Sequence, residues 1–314
     1  MKRQFLLYGV AFAAIVSPLA SQSLAADIPA IGITVGSLGN PYYSVTNRAI
    51  EETAKELTPN TRVISVSADY DLGKQFNQIE NFTAAGAKII MLNAVDPNGI
   101  RPAVDRAKAR GVTIAAFDVA AEGADVTVMT DNVEAGRLAC QYIVDHLPGG
   151  KGDVVIVNGP PISAFVDRFD GCMKALNTSP NINILSSDQN GEASRDGGLK
   201  ATLGLLTRFP HIDAIFALND PTAIGADLAA KQLSRKEFFI TAVDGSPDAV
   251  NNMKSGNSLI RASSAQAPYR MAAAAYRYAV DIVNGKQPPQ KIVLLPPTLV
   301  STDNVKSFAG WDAK

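Results

Sequence analysis

The sequence has few of the residues, and none of the local motifs, on which enzymes usually depend. Only two histidines occur among its 314 residues, His146 and His211, and neither stands near a serine or cysteine nucleophile pattern. The G-x-S-x-G elbow, the phosphate-binding P-loop and the glycine fingerprint of dinucleotide-binding domains are all absent. The sequence therefore predicts a protein that is not an enzyme and needs no cofactor.

An excess of positive charge is also lacking. The 29 lysines and arginines are balanced by 30 aspartates and glutamates, so the formal net charge is −1 at pH 7. Proteins that bind nucleic acids usually carry a basic patch or stripe. We therefore expect no nucleic acid among the partners of this protein.

Metal-ligand patterns are scarce as well. Asp69, Asp71 and Gly73, with Glu80 further on, are spaced loosely like a calcium-binding loop. However, Lys74 occupies the sixth place, where the sharp turn of such a loop needs glycine. The other interpretation is that Asp71 caps the following helix. We expect no metal site.

Long hydrophobic runs are limited to the start of the chain. The apolar segment Phe5–Val16 follows two basic residues and is followed by a small-residue stretch. This order predicts a signal peptide over residues 1–26, cleaved near Ala25 or Ala26. A membrane anchor is the alternative, but the run is short for a span and no other run approaches the ~20 residues that a span needs. We expect export to the periplasm.

Cysteine is rare, with Cys140 and Cys172 as the two examples. Neither spacing resembles a metal site. Two cysteines in an exported chain can pair in an oxidising compartment. The alternative is two buried free thiols, which behave as small apolar residues. Both interpretations are compatible with the sequence.

From residue 31 onwards, short apolar runs alternate with segments of helical periodicity. The first unit is a strand over Ile31–Val35, a glycine-containing loop and a helix beginning near Pro41; a later helix is predicted over Pro97–Arg110. Continuous apolar runs between helices are typical of a parallel sheet covered on both faces. The pattern restarts after a turn cluster at 148–152, and the tail, Ile292–Ser301, is expected to end loosely. The sequence thus predicts an α/β protein with two doubly wound halves.

Polar residues follow the predicted strands at their carboxyl ends, where ligands bind in open α/β sheets. They are Asn40, Asn93, Asp118, Asn219, Asp220, Asp244 and Gln266. Each one alone is better explained as a helix N-cap. Together they suggest a crevice lined by amides and carboxylates, which suits a polyhydroxylated neutral ligand. The adjacent rings of Tyr42 and Tyr43 would add an apolar wall.

These residues sit within segments that carry a family likeness. The segments are Asn40-Pro41-Tyr42-Tyr43, MLNAVDP around Asn93, Asp118 after IAAF, Asp131-Asn132 with Ala135-Gly136, Arg168-x-x-Gly171, FALNDPTAIGA at 216–226, VDGSPDA at 243–249, and Gln266. Over residues 30–300 the chain resembles the ribose-binding-like periplasmic sugar-binding proteins, the type 1 solute receptors of ABC importers.

The resemblance implies a fold, a function and a set of contacts. It implies two doubly wound parallel-sheet lobes joined by three hinge crossings, with an N-terminal lobe of 27–130 plus 265–295 and a C-terminal lobe of 131–264 plus 296–314. It implies capture of a small sugar or polyol by a monomer and delivery to an ABC permease, with a chemoreceptor or sensor kinase as an alternative recipient. The implied ligand contacts are Asn40, Tyr42, Tyr43, Asn93, Asp118, Asn219, Asp244 and Gln266, with Phe165, Arg168 and Asp220 as further candidates.

The sequence departs from the family pattern at four cleft positions, where arginines or aromatic residues are replaced. They are Val119, Val166, Ala193 and Val243. We therefore expect Asp118 and Asp244 to face the cleft without their usual arginine partners, which would make two carboxylates repel each other. A hydroxyl-rich ligand, or a cationic one such as an amino-polyol, would relieve this, and plain D-ribose remains an option. Alternatively, Arg168 or Arg195 turns inward.

Two other classes share parts of this pattern. A transcriptional regulator with the same lobes would need a DNA-binding helix-turn-helix in place of the export signal. An exported sugar-modifying enzyme could use Asp118 and Asp244 as an acid–base pair, and turnover of a bound sugar would reveal it.

Overall fold

The structure is a computed structural model that describes residues 27–313. The predicted signal peptide, residues 1–26, lies outside the described residues. Across residues 27–313, no helix is long and apolar enough to cross a membrane. The described chain is built around two six-stranded sheets.

The first sheet contains the first five strands and one strand from near the end of the chain. Its members are β1 (Ala30–Val35), β2 (Arg62–Ser67), β3 (Ile89–Leu92), β4 (Thr113–Phe117), β5 (Val126–Thr130) and β11 (Ile292–Leu295). The order is β11-β5-β4-β3-β1-β2, and every neighbouring pair is parallel. The helices packed on it are α1 (Pro41–Leu57), α2 (Leu72–Ala84), α3 (Arg101–Ala109) and α9 (Pro268–Val283).

The second sheet repeats this order with the remaining strands. They are β6 (Gly152–Asn158), β7 (Ile182–Asn190), β8 (Ala214–Ala217), β9 (Phe239–Asp244), β10 (Ile260–Ala265) and β12 (Thr298–Ser301). The order is β12-β10-β9-β8-β6-β7, with β12 antiparallel to β10. Its helices are α4 (Asn132–His146), α5 (Ser163–Leu176), α6 (Arg195–Arg208), α7 (Asp220–Gln232) and α8 (Pro247–Ser255); 3-10 turns lie at Pro148–Gly150 and Val305–Ser307.

The apolar runs are continuous because both faces of each sheet are covered. Along β3, Ile89 and Met91 pack in the cluster that includes α1 and α9, whereas Ile90 and Leu92 pack in the cluster that includes α2 and α3. Successive side chains of a strand point to opposite faces, so a strand between two helical layers must be apolar at every position.

The chain passes between the two sheets three times: from β5 to α4, from β10 to α9 and from β11 to β12. The predicted fold, two doubly wound lobes joined by three crossings, is confirmed. Residues at the carboxyl ends of strands from both sheets meet at a common crevice, since Gln266 hydrogen-bonds both Thr130 at the end of β5 and Asp244 at the end of β9.

Two local predictions are wrong. Helix α3 begins at Arg101 rather than at Pro97, because the Asp96 carboxylate accepts hydrogen bonds from the backbone N–H groups of Asn98 and Gly99 and stabilises a turn there. The expectation that the tail Ile292–Ser301 ends loosely also fails, since it contains β11 and β12 and its last residues, Val300 and Ser301, are 1% and 6% exposed.

Candidate functional site

The predicted site residues lie around the crevice, at or just after the carboxyl ends of strands. Asn40, Tyr42 and Tyr43 follow β1, Asn93 follows β3 and Asp118 follows β4. Asn219 follows β8, Asp244 ends β9 and Gln266 follows β10. The first five belong to the first lobe, and the others belong to the second lobe or to its crossing.

Asp118 is the carboxylate that the first lobe brings to the crevice. Its backbone has a φ of +66°, an unfavourable conformation for a residue with a Cβ, and such strain is often found at functional sites. The Tyr42 hydroxyl donates to Oδ1 at 2.9 Å, and the Asn93 amide donates to Oδ2 at 3.1 Å. Burial raises the pKa of Asp118 to about 6, although the Tyr42 hydrogen bond and the charge of Arg168 lower it.

The two tyrosines are more enclosed than the sequence suggested. Tyr42 and Tyr43 are 7% and 8% exposed, and their rings meet edge to face with centroids 5.6 Å apart. Burial raises the pKa of the Tyr43 hydroxyl, which hydrogen-bonds Tyr70 and Asn93. Little of either ring is therefore left for a ligand to contact in this arrangement.

Asp244 is the matching carboxylate of the second lobe. It has a φ of +132°, so it too is held in a strained backbone conformation. Its Oδ1 accepts from Arg168 at 3.2 Å and from the Gln266 amide at 2.8 Å, while Oδ2 accepts from the backbone N–H of Asp220 at 3.3 Å. Burial raises the pKa of Asp244, against the opposing effect of the Arg168 charge.

The expectation that Asp244 lacks an arginine partner is wrong. Arg168 turns inward, is only 4% exposed, and also donates to the Asn132 side chain and the Leu218 carbonyl at 2.9 Å each. Arg195 instead pairs with Asp248 at the surface. For Asp118, the hydrogen-bond partners found in the described chain are Tyr42 and Asn93, not an arginine.

Close helix packing places Arg168. A Cβ added to Gly136 of α4 would lie 1.9 Å from the Arg168 carbonyl oxygen, so the two helices touch where only glycine fits. The structure contains a disulfide bond between Cys140 and Cys172, which joins α4 to α5. The Phe165 ring lies 5.5 Å from the guanidinium, a cation–π contact. Phe165 is itself 8% exposed.

Three other predicted residues have structural partners of their own. The Asn40 side chain accepts from the Tyr42 N–H, and the Asn219 side chain caps α7 through the Thr222 N–H. Asp220 is fully buried behind Asp244, where its oxygens accept from the Ser263 hydroxyl and the Ser246 N–H at 2.6 Å each. Burial and the neighbouring Asp244 charge raise the pKa of Asp220 to about 7.

Gln266 joins two crossings. Its Oε1 accepts from the Thr130 hydroxyl at 2.8 Å, and its Nε2 donates to Asp244. Thr130 ends β5 at the first crossing, and Gln266 opens the second, so this amide ties the hinge to a carboxylate of the crevice.

A family model described as a periplasmic binding protein domain matches residues 31–287. The chain belongs to this family. The predicted solute-receptor family, the ABC importer binding proteins, is thus confirmed.

Relatives of this periplasmic binding protein carry names that refer to sugars and polyols. The ribose import binding protein of Bacillus subtilis (strain 168) is 32% identical over 268 residues, which cover 85% of each chain. The xylitol-binding protein of Mycolicibacterium smegmatis is 30% identical over 235 residues, covering 74% of this chain and 66% of the relative. A solved ABC transporter solute-binding protein from Actinobacillus succinogenes, with bound D-allose, has a TM-score of 0.82 at 27% identity and covers 89% of this chain and 100% of its own.

The acidic loop of this periplasmic binding protein has no metal-binding arrangement. Asp71 caps α2 by accepting from the Lys74 N–H at 2.8 Å, and Asp69 pairs with the Lys74 side chain. Over the described range 27–313, no group of three or more histidine, cysteine, aspartate or glutamate residues could hold a metal ion.

Sequence reasoning missed two aromatic residues near the crevice. Tyr70 lies in the loop after β2, is 63% exposed, has a φ of +57° and hydrogen-bonds Tyr43. Trp311 follows the last strand and contacts Tyr42. The positive φ of Tyr70 cannot be predicted from the sequence. That Trp311 is the single tryptophan of the sequence is a signal that could have identified it as a candidate.

Proposed function

We propose that this protein is an exported solute receptor that captures a small sugar or polyol between its lobes and delivers it to an ABC importer. Its family membership and its relatives named for ribose and xylitol support this assignment. The relatives reported above are named as binding proteins, which supports a binding role rather than catalysis.

The observation that carries the proposal is the pair of carboxylates from opposite lobes, Asp118 and Asp244. Both are held in strained backbone conformations, and each is fixed by neutral donors or by Arg168. Carboxylates accept hydrogen bonds without donating, so they favour a ligand that is rich in hydroxyl groups.

We assign ligand contact to the predicted residues and refine their roles. The proposed contacts are Asn40, Tyr42, Tyr43, Asn93, Asp118, Asn219, Asp244 and Gln266. Arg168 holds Asp244, Phe165 packs against Arg168, and both border the site, whereas Asp220, being fully buried, acts by holding the backbone next to Asp244.

The proposed mechanism is capture by hinge closure. A ligand that contacts Asp118 and Asp244 at once binds both lobes only when they approach each other. It therefore shifts an open–closed equilibrium towards the closed form. We take the lobes as 27–130 plus 265–295 and 131–264 plus 296–314, with the closed form docking on the permease.

The proposal also covers the compartment and the partners of the protein. The signal peptide, residues 1–26, would be removed near Ala25 or Ala26, leaving a periplasmic monomer with no nucleic acid partner. A chemoreceptor or sensor kinase that reads the closed form is compatible with the same binding site.

A cationic ligand such as an amino-polyol is the second candidate. The charge of Asp244 raises the pKa of both Asp118 and Asp220, and within residues 27–313 the ion pair of Arg168 is with Asp244 alone. An ammonium group near Asp118 would balance this negative charge.

A thermal-shift screen of the mature protein tests the proposal. The panel contains D-ribose, D-allose, xylitol, myo-inositol and an amino-cyclitol, since any compound that binds only the folded state raises the melting temperature. No shift with any sugar or polyol contradicts the proposed ligand class. A shift with D-ribose alone contradicts the inference that the replaced cleft positions, Val119, Val166, Ala193 and Val243, favour a ligand other than plain D-ribose.

Substitution then tests the site. Asp118→Ala and Asp244→Ala should each weaken the best binder of the panel by roughly ten- to a hundredfold in calorimetry, because buried ligand donors lose their partner. Asp105→Ala, an exposed carboxylate on α3, is the control and should bind normally. Unchanged affinity in both crevice variants rejects this site, and conversion of the bound sugar would instead favour an enzyme.

A further inference from the structure

The sole tryptophan of the sequence, Trp311, touches proposed ligand residues of both lobes. Its indole N–H donates to the backbone carbonyl of Asp244 at 2.8 Å. Its ring meets the ring of Tyr42 edge to face, with centroids 5.3 Å apart. Asp244 ends β9 of the second sheet, whereas Tyr42 begins α1 of the first lobe. One side chain thus links the two halves of the proposed site.

The segment that carries Trp311, residues 305–313, runs from one lobe to the other, and we call it the C-terminal strap. At its start, Val305 and Phe308 pack in a core cluster of the second lobe. At its end, Trp311 packs in a core cluster of the first lobe, and Asp312 forms an ion pair with Arg48 of α1. The strap is therefore a link between the lobes in addition to the three covalent crossings.

The contacts of Trp311 act on groups that the proposed function needs. The Tyr42 hydroxyl that donates to Asp118 extends from a ring packed against the indole. The Asp244 carbonyl belongs to a residue with a φ of +132°, which its surroundings must hold in place. An aromatic edge-to-face pair and a buried hydrogen bond are both favourable, so the two contacts of Trp311 help to hold Tyr42 and the Asp244 backbone in place.

Contacts that span two lobes also affect their relative position. One Trp311 side chain reaches both the Asp244 carbonyl of the second lobe and the Tyr42 ring of the first, so the lobes lie close together here. Any contact made only when the lobes are close favours the closed state by its own free energy. The strap, which is anchored in the second lobe, contacts the first lobe through Trp311 and Asp312.

We infer that the C-terminal strap latches the two lobes together, and that Trp311 is a positioning residue for both halves of the proposed ligand site. The positioning role rests on the proposed function, because it requires Asp118 and Asp244 to meet the ligand. The latch does not, because it concerns the lobes alone.

Small-angle X-ray scattering of the ligand-free protein tests the latch without any ligand. Trp311→Ala should give a larger radius of gyration than the wild type, because the lobes separate when the strap is released. Trp311→Phe keeps a ring against Tyr42 but loses the N–H donor, and should lie between the two. An unchanged radius of gyration in both variants overturns the latch, whatever the protein binds.

Binding kinetics test the positioning role, with D-ribose and xylitol as probes. Trp311→Ala should bind on the order of tenfold more weakly, because the closed form that retains the ligand loses the contacts of the strap. The loss should lie mainly in faster release, with the association rate little changed. Equal release rates in wild type, Trp311→Phe and Trp311→Ala overturn this role. Failure of both probes to bind the wild type would count against the proposed ligands and leave the scattering result valid.

Two exposed arginines provide a matched comparison. Arg48→Gln removes the ion pair between α1 and the strap, whereas Arg277→Gln removes the pair with Glu56 inside the first lobe; both arginines are 46% exposed. Exposed pairs contribute little, so Arg48→Gln should speed release by no more than a few fold. Arg277→Gln should match the wild type in both radius of gyration and ligand release rate. Identical behaviour of the two variants would mean that the Asp312 contact is no part of the latch.

Discussion

The guanidinium of Arg168 lies 3.2 Å from a carboxylate oxygen of Asp244, and the two side chains are only 5% and 14% exposed. A buried ion pair adds little net stability over an apolar pair, but the removal of one partner leaves the other charge uncompensated. Arg168 also holds Asn132 and the Leu218 carbonyl. It therefore fixes Asp244 in place.

Replacing Arg168 with Met should destabilise the protein strongly. The change keeps much of the side-chain volume but removes every donor, so Asp244 and the Leu218 carbonyl lose a partner inside the protein. The expected loss in the free energy of unfolding is about 3–5 kcal/mol, measured by urea denaturation.

Arg195→Met is the control for this change. Arg195 pairs with Asp248 at the surface, where both side chains are more than half exposed. Surface substitutions of this kind usually stay within about 0.5 kcal/mol of the wild type. Equal losses in the two variants would contradict the importance assigned to Arg168.

Gly136→Ala should disturb the site from a distance. The new Cβ would lie 1.9 Å from the Arg168 carbonyl oxygen, so α4 and α5 would have to move apart. Forcing atoms into a well-packed contact typically costs about 1–3 kcal/mol. The measurement is the midpoint of urea unfolding together with affinity for the best binder of the sugar panel, and both should fall.

A second helical glycine offers the matched control. Gly204 of α6 has nothing within 4 Å of an added Cβ. Alanine there should be neutral or stabilise by about 0.5–1 kcal/mol, because glycine loses more conformational freedom in a helix. If Gly136→Ala behaves like Gly204→Ala, the close contact between α4 and α5 does not set the position of Arg168.

Much of the fold could be predicted because apolar residues are spaced differently along a sequence in buried parallel strands and in amphipathic helices. The same logic located Asp118 and Asp244, since a polar residue directly after an apolar run falls at the end of a strand. Residue order alone thus located two carboxylates that the structure brings to one crevice.

The partners of these residues could not be predicted in the same way. Arg168 and Asp244 are 76 positions apart, and their contact depends on how closely α4 and α5 pack. The sequence therefore left Arg168 and Arg195 as equal alternatives. The burial of Trp311 depends on the path of the strap across two lobes, for which no local pattern exists.

The Cys140–Cys172 bond should contribute measurably to stability. It closes a loop with a sequence separation of 32 and joins the two helices that position Arg168. Disulfides stabilise mainly by restricting the unfolded chain, typically by about 2–4 kcal/mol. Urea unfolding with and without reductant should show this loss, and the double variant Cys140→Ala, Cys172→Ala should show no further effect of reductant. Equal urea midpoints with and without reductant would show that the disulfide bond does not stabilise the protein.

Raised carboxyl pKa values should make the ligand-free protein less stable as pH rises. In the folded state the pKa of Asp118 is raised to about 6 and that of Asp220 to about 7, both above the ordinary value of 3.8. The folded protein therefore holds more protons than the unfolded chain between those limits. Stability arising from these groups is complete below pH 3.8 and is lost as pH rises through 6 to 7.

Asp118→Asn isolates one carboxyl from this dependence. The amide does not titrate, so the variant should lose less stability than the wild type between pH 4 and pH 6, measured by thermal melting in the absence of sugars. A hydroxyl that donates to ionised Asp118 would lower its pKa again, so binding by the wild type should release protons near pH 6. Calorimetry in buffers of different ionisation enthalpy measures that release. If the variant and the wild type lose the same stability over this range, burial does not perturb Asp118 as inferred. Proton release by the variant equal to that of the wild type would assign the release to another group.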